Sequence, residues 1–465
     1  MDRPRHTIST WDPGPGSRVL VLLLTLLSLA GFGAPVPAQA QELSTPSLTA
    51  SPVCHPGEAP TPLTLRELWR AGEEREPGYQ AVRDLRLAED ETRSALRREW
   101  APVLSAQGLG THGQRLSPGE ERVLGVGPRG ELRLAGGWTI LDLERHRRAR
   151  VIRLRQEEAT QGERAFDAGY RAALAEAYAQ AAAAEELWEV RRRHARTLAE
   201  LEALLRERLE AGVEPRWEVH LLDEAVARGE RLLADAEQIR AAHREDLSAV
   251  AGRCVRSRDL DLSLHEVPEA AERPEAEDVA LLLRQAEVRE AMAAEEAARG
   301  RIRLELIGLV GPPYSRAFQD DRIRQEYLVG VSLAWNPDLA GVRGRLAAAE
   351  SARARATRAR AESLRRSHER ELAMLQTTLE HGDARWTGLV QEREQARRRE
   401  EVALLRWQEG VDRWTEVLQA RDRILEVATL EVELKVEVAL AMIRAAEITG
   451  TLDDVPARLG QEEIR

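Results

Sequence analysis

The chain has 465 residues, of which 32% are charged and 4% aromatic, and its formal net charge is −11. Dominated by Ala, Arg, Glu and Leu, it has the profile of long helices and coiled coils, which argues for one elongated helical object over several ordinary domains. The acidic balance gives no reason to expect a nucleic-acid partner, and Lys435 is the only lysine, an arginine bias read as base composition of the source.

The first predicted element is an export signal over residues 1–40. Arg3, Arg5 and Arg18 supply positive charge, Val19–Leu29 is an apolar core, and Ala38-Gln39-Ala40 offers an A-x-A cleavage site. The core is too short for a membrane span, so cleavage is expected after Ala40. No later segment approaches a transmembrane helix, so a membrane-crossing version of this chain must use strands. Residues 41–62 are rich in Ser, Thr and Pro and read as an extended linker. Cys54 and Cys254 are the only cysteines. An exported compartment permits a disulfide between them, against the alternative of two unrelated thiols. Ser51, Pro52 and Val53 are the wrong neighbours for lipid attachment at Cys54.

A first repeat is predicted over residues 63–252. Thr64 and Glu67 are spaced as a capping box before a helix containing Leu68 and Trp69. After a turn at Pro77–Gly78, a helix runs through Ala81–Trp100 and ends at Pro102. Two short strands follow, Val103–Gly110 and Glu131–Ile140, separated by a Gly/Pro-rich loop. In the second, Leu132, Leu134 and Trp138 share one face, with Arg133 and Ala135 opposite. From Asp142 to Ala211 no proline interrupts the chain, and a helix of roughly 70 residues extends about 100 Å. Leu198, Leu201, Leu205 and Leu209 recur at helical steps. Gly212 breaks the helix, a return runs from about Trp217 to Val250, and Gly252 stops it.

Residues 253–275 form a polar connector, and the pattern restarts over residues 276–450. Ala276–Arg299 is helical, Ile302–Leu306 and Tyr327–Trp335 alternate as strands, and Asn336-Pro337-Asp338 marks the exit. Gly341–Glu409 is the second long helix, Gly410 its break and Trp414–Thr449 the second return, with residues 451–465 left as a tail. Aligned without a gap, Arg208, Gly212, Glu218 and Val219 meet Arg406, Gly410, Glu416 and Val417. Gly450 lies as far from Gly410 as Gly252 from Gly212, so the chain reads as a duplicated hairpin. Four strands cannot close a barrel and open edges are not tolerated in lipid. A spanning version therefore borrows strands from other copies, and closed cyclic oligomers are the usual solution.

Several constellations carry little chemistry. His368 with Glu371, and Glu380, His381 and Asp383, show no third partner for a metal and read as solvated helix faces. Gly125–Gly130 contains Pro128 and lacks a strand–helix–strand context, so it is no dinucleotide fingerprint. There is no nucleophile–base pair and no P-loop. Neither catalysis nor a cofactor is expected. Arg191–Arg193 and Arg397–Arg399 read as salt-bridged surfaces of packed helices.

The chain resembles the TolC family of outer-membrane efflux channels. The resemblance is carried by Leu63–Trp69, the strand-to-helix junctions Trp138–Asp142 and Trp335–Asp338, and the Gly-Val tips followed by Glu218-Val219 and Glu416-Val417. It implies a mainly α fold of duplicated long-helix hairpins forming a periplasmic α-barrel. Four short β-strands per protomer would join a shared trimeric transmembrane β-barrel in outer-membrane lipid. It further implies a homotrimer that serves as the passive conduit of a tripartite efflux or type I secretion system. Its partners would be a periplasmic adaptor and an inner-membrane pump of RND or ABC type. Within the resemblance, Glu416 forms a carboxylate ring near the closed end and Trp407 stands where some members place a closing tyrosine. Gly212, Val213, Gly410 and Val411 are the adaptor-contact tips. For Glu416 and Glu218 the plain alternative is a solvated acid, and for the tips an ordinary turn. Two rival functions remain: a periplasmic adaptor, which typically shows one hairpin, and an envelope coiled-coil scaffold, which needs no amphipathic strands.

Overall fold

Polar side chains decide where strands give way to helices. The computed structural model describes residues 64–117, 120–212, 216–255, 276–299, 302–311, 326–335, 338 and 340–459. All of them belong to one unit of the chain, Leu48–Arg465. The export signal, the whole linker with Cys54, the connector from residue 256 to 275, and Val213 at the first tip lie outside the described residues.

Helix α1 spans Leu65–Arg75 and α2 Pro77–Arg98. The capping box forms: the Glu67 N–H donates to Thr64 Oγ1 at 3.3 Å and the Thr64 N–H to Glu67 Oε2 at 2.9 Å. Pro77 opens α2, where its missing N–H would have no helical acceptor. Strands β1 (Val103–Ser117) and β2 (Glu120–Asp142) follow, then α3 (Leu143–Glu210) and α4 (Arg216–Val250). The second half repeats the order with α5 (Glu277–Ala298), β3 (Arg303–Gly311), β4 (Glu326–Ala334), α6 (Val342–Gln408) and α7 (Trp414–Thr449). A 3₁₀ turn at Leu452–Asp454 and a short helix α8, Val455–Arg458, close the described chain.

The two long helices start under carboxylate caps. The Arg145 N–H donates to Asp142 Oδ1 at 3.1 Å at the head of α3. At the head of α6, Asp338 accepts from the Val342, Arg343 and Gly344 N–H groups at 3.1, 2.9 and 3.1 Å. These are helix-start donors that would otherwise lack partners. Both hairpin tips turn on glycine: Gly212 and Gly410 each have φ 75°, a left-handed conformation that a side chain resists.

The sheet is antiparallel in the order β1-β2-β3-β4. Its first hairpin corrects the sequence expectation. Val103–Gly110 and Glu131–Ile140 extend to Val103–Ser117 and Glu120–Asp142, and the Gly/Pro-rich stretch is paired strand, with Pro128 opposite His112. Proline and glycine weaken strand propensity, but pairing across the hairpin overrides it. The alternation is as expected. Leu104, Leu134, Trp138, Val329, Val331 and Leu333 lie on one face, and all are exposed, from 48% at Trp138 to 86% at Leu104. Ser105, Ala135, Thr139, Glu305 and Ser332 take the other face.

The helices pack in rows. Near the sheet, α2 lies on α3, α3 on α5, and α5 on α6; toward the tips, α4 lies on α3, α3 on α7, and α7 on α6. No described helix is long and apolar enough to cross a membrane. The main core joins Leu65, Leu68 and Trp69 of α1 to Leu174 and Tyr178 of α3, Leu247 of α4 and Ile443 of α7. Arg171 ties its rim together, bonding Glu73, Asp167 and Asp453 at 3.0, 2.9 and 2.8 Å.

Gly72 and Gly78 let α1 and α2 approach α3, since a Cβ on either would run into Tyr170 or Phe166. Gly72→Ala is expected to lower unfolding stability by about 1–3 kcal/mol through overpacking. Thermal denaturation of the purified variant measures it, and Gly344→Ala, in open space on α6, is the control expected to lose nothing.

Candidate functional site

The tips of the two hairpins are packed together. Leu201 and Leu205 of α3 and Leu222 of α4 meet Trp407 of α6 and Trp414 and Val417 of α7 in a second core. Leucines at i and i+4 put one stripe of α3 against this core, as the spacing predicts. Trp407 and Trp414 are 1% and 0% exposed, with ring centroids 4.9 Å apart at 61°. Such an edge-on pair is worth about 0.5–1.5 kcal/mol beyond its buried area.

Arg208 locks the first hairpin to the second. Its guanidinium carbon sits 4.5 Å from the Trp407 ring centroid. Nη1 donates to the Gln408 carbonyl at 3.1 Å and Nη2 to the Trp407 carbonyl at 3.4 Å. A cation at a helix C-terminus satisfies carbonyls that lack helical partners and opposes the negative end of the helix dipole.

The predicted site residues divide. Glu416 is exposed in the first turn of α7, where a carboxylate is favoured by the helix dipole. Its counterpart in the first repeat, Glu218, is only 4% exposed. The alternative reading of both as solvated acids therefore fails for Glu218. Gly410 and Val411 stand exposed at the tip, Val411 at 68%, and Gly212 is exposed at its neighbour. Val213 lies outside the described residues. Trp407, the other gate candidate, forms part of the core of the tip, where Trp414 and Arg208 close over it. Part of that cover comes from Arg208, about 200 positions away, which no local periodicity reveals.

A second link was not foreseen. One turn above the tip core, Arg421 donates to Glu400 Oε1 at 2.8 Å and to Thr197 Oγ1 at 2.7 Å, joining α7 to α6 and α3. Beside it His194 lines a cavity of about 360 Å³ with Arg191, Arg228, Asp422 and Leu425. Its Nδ1 has no hydrogen-bond partner, and burial, with Arg421 nearby, pushes the imidazole down to about 4. The one sequence signal was its place four residues before Leu198, at the head of the stripe that continues through Leu201 and Leu205.

His368 is also corrected. It is 5% exposed rather than solvated, and its Nε2 lies 3.0 Å from Asp278 Oδ2, so it fastens α6 to the start of α5. Its neighbour Glu371 accepts from Arg444 at 2.7 and 3.1 Å. Among the described residues no three His, Cys, Asp or Glu side chains converge as a metal site. Cys254 is disulfide-bonded.

Solved structures share the fold. The outer membrane protein VceC from Vibrio cholerae matches with a TM-score of 0.68 at 16% identity, over 82% of this chain and 96% of that one. The CmeC outer membrane channel of Campylobacter jejuni matches at 0.67 and 11% identity, over 88% and 95%. The open state of the Neisseria gonorrhoeae MtrE outer membrane channel matches at 0.65 and 16%, over 86% and 90%. The chain has the fold of the TolC-type outer-membrane channels. No protein-family model and no curated protein sequence matches it.

In this channel fold the tip core and the Arg421 link join the two hairpins near their tips, as the main core does farther from them. Because His194 has a folded pKa below its ordinary 6.5, protons bind the unfolded chain first. Its contribution to stability is whole above about pH 6.5, falls between about 6.5 and 4, and is fully lost below that, by about 3 kcal/mol at most. Melting curves across this range are expected to show the fall in the wild type and a flatter profile in His194→Gln.

Proposed function

We propose that the protein is an outer-membrane channel, the passive conduit of a tripartite efflux or type I secretion system. The observation that carries this reading is the sheet. Six large apolar side chains stand exposed on one face, while β1 and β4 each pair on one side only. An apolar outer face with polar residues behind it suits a wall between lipid and water. Unpaired strand rims suit closure by other copies, since open rims are not tolerated in lipid.

Three copies would give a twelve-stranded barrel over a periplasmic tunnel of helices. Residues 1–40 would serve as the cleaved signal, with repeats at 63–252 and 276–450 building the wall. An adaptor would seat on Gly212, Val213, Gly410 and Val411, and a pump of RND or ABC type would supply the energy. Cys254 would pair with Cys54, the only other cysteine. Glu416, exposed where Glu218 is buried, would form the carboxylate ring at the tunnel mouth. Like charges brought together on an axis repel and attract cations. Trp407 would act by fastening the tips rather than by lining the pore. Two hairpins and a four-stranded sheet in one chain weigh against an adaptor or a scaffold.

Outer membranes extracted with detergent are expected to yield a particle of three chains that conducts ions in planar bilayers. A protein washed off by salt, or a particle without conductance, overturns the channel reading. In the same bilayers Glu416→Gln is expected to weaken block by multivalent cations. Unchanged block in an active channel removes Glu416 from the pore.

A further inference from the structure

Where the sheet meets the helices, four arginines stand exposed without a carboxylate. Arg97 and Arg98 end α2, Arg147 lies in the second turn of α3, and Arg345 opens α6. None of them forms an ion pair among the described residues. The carboxylates at this level are already engaged. Asp142 and Asp338 cap the long helices, Glu99 faces Arg145 at 3.7 Å, and Glu144 holds Arg148 and Arg299 at 3.5 and 3.4 Å. A chain with a net charge of −11 therefore carries uncompensated positive charge along one edge.

Helix energetics do not account for these positions. The positive end of the helix dipole lies at the start of α3 and of α6, so Arg147 and Arg345 sit where a cation is disfavoured. The first turn of α6 holds no acid to offset it. At the end of α2 a cation is favoured, but the terminal carbonyls there have other donors. Arg145 Nη1 donates to the Glu99 carbonyl at 2.9 Å and Trp138 Nε1 to the Trp100 carbonyl at 3.1 Å.

The neighbouring surface is apolar and aromatic. Trp138 and Leu141 of β2, Leu333 of β4 and Trp335 just beyond it share the apolar face of the sheet, and all four are exposed. Because Trp138 belongs to that face, its bond to the Trp100 carbonyl places the end of α2 beside it. Tryptophan at the helix-side rim of an apolar band, followed within a turn or two by arginine, is the order in which a bilayer passes from acyl chain to headgroup. Guanidinium also offers the planar fork of donors that phosphate accepts.

We propose that Arg97, Arg98, Arg147 and Arg345 form a collar that binds the phosphates of anionic phospholipids at the periplasmic surface of the membrane. This inference rests on the channel reading, since only a sheet embedded in lipid brings headgroups to that level. The partner is a lipid rather than a soluble anion, because the apolar rim beside the arginines lies against its acyl chains. The collar sets the depth of the barrel in the bilayer. It favours phosphatidylglycerol over phosphatidylcholine, whose headgroup carries a cation of its own.

The test titrates the assembled full chain in detergent with phosphatidylglycerol, phosphatidylcholine or inorganic phosphate, read by native mass spectrometry and by melting temperature. Phosphatidylglycerol is expected to stay bound and to raise the melting temperature, and neither of the other two to do so. Each of the four arginines replaced by glutamine is expected to weaken that binding roughly fivefold, while replacement by lysine retains most of it. Arg397→Gln with Arg399→Gln, exposed toward the tips, is the control that leaves it unchanged. Circular dichroism checks folding, and the single glutamine variants decide the matter where the fourfold one unfolds. Equal binding of both lipids, full competition by inorganic phosphate, or glutamine variants that bind like the wild type overturn the collar and leave the channel reading intact. A wild-type chain that salt washes from membranes overturns the channel reading itself.

Discussion

The structure depends on two aspartates that turn strand into helix. Asp142 and Asp338 each accept backbone N–H groups at the head of a helix of nearly seventy residues. A strand keeps its donors for a neighbour, whereas the first turn of a helix needs an acceptor that its own ladder does not supply. Setting both switches at the same end of one sheet sends α3 and α6 away from it in the same direction. Their returns, α4 and α7, then have long partners to lie on, and the apolar faces of four helices are buried without a globular core.

The duplication produced similar sequences with unequal roles. The tips share a glycine conformation, yet only the second brings two tryptophans together. Trp407 and Trp414 fill the space between hairpins, and Arg208 reaches across from the first hairpin to cap the second. Glu218 falls inside this arrangement and Glu416 outside it. Symmetry in the gene has become an inner and an outer position in the fold.

Much of this was legible in the residues. Long runs without proline, apolar steps of three and four, and isolated glycines placed the long helices and their returns to within a residue or two, because backbone preference and burial agree there. Helix α2, by contrast, begins at Pro77, inside the expected turn and four residues before the expected helix start. The first hairpin was legible only in its halves nearest the helices. Its distal part is built from Gly125, Gly127 and Pro128, which local preference assigns to a loop and strand pairing holds extended. Burial of Trp407, His194 and His368 was also hidden. Each is covered by groups from another helix, and a residue's own neighbours in sequence do not say which helix will arrive. Of the site, Glu416 and the glycine tips were readable from the repeat, while the Arg208 and Arg421 links were not.

The ties between helices are almost all made by guanidinium groups. Arg171, Arg421 and Arg444 each bridge separate helices. The single lysine, Lys435, is itself held at 2.6 Å by Glu186 beside the Trp386 ring. Guanidinium stays charged at any pH a cell envelope meets, and it presents a planar fork that an ammonium lacks. The wall is therefore cross-braced by charges that alkaline surroundings do not remove. It is also nearly blank to amine-directed chemistry, so reagents that map lysines would find almost nothing on a surface crowded with positive charge.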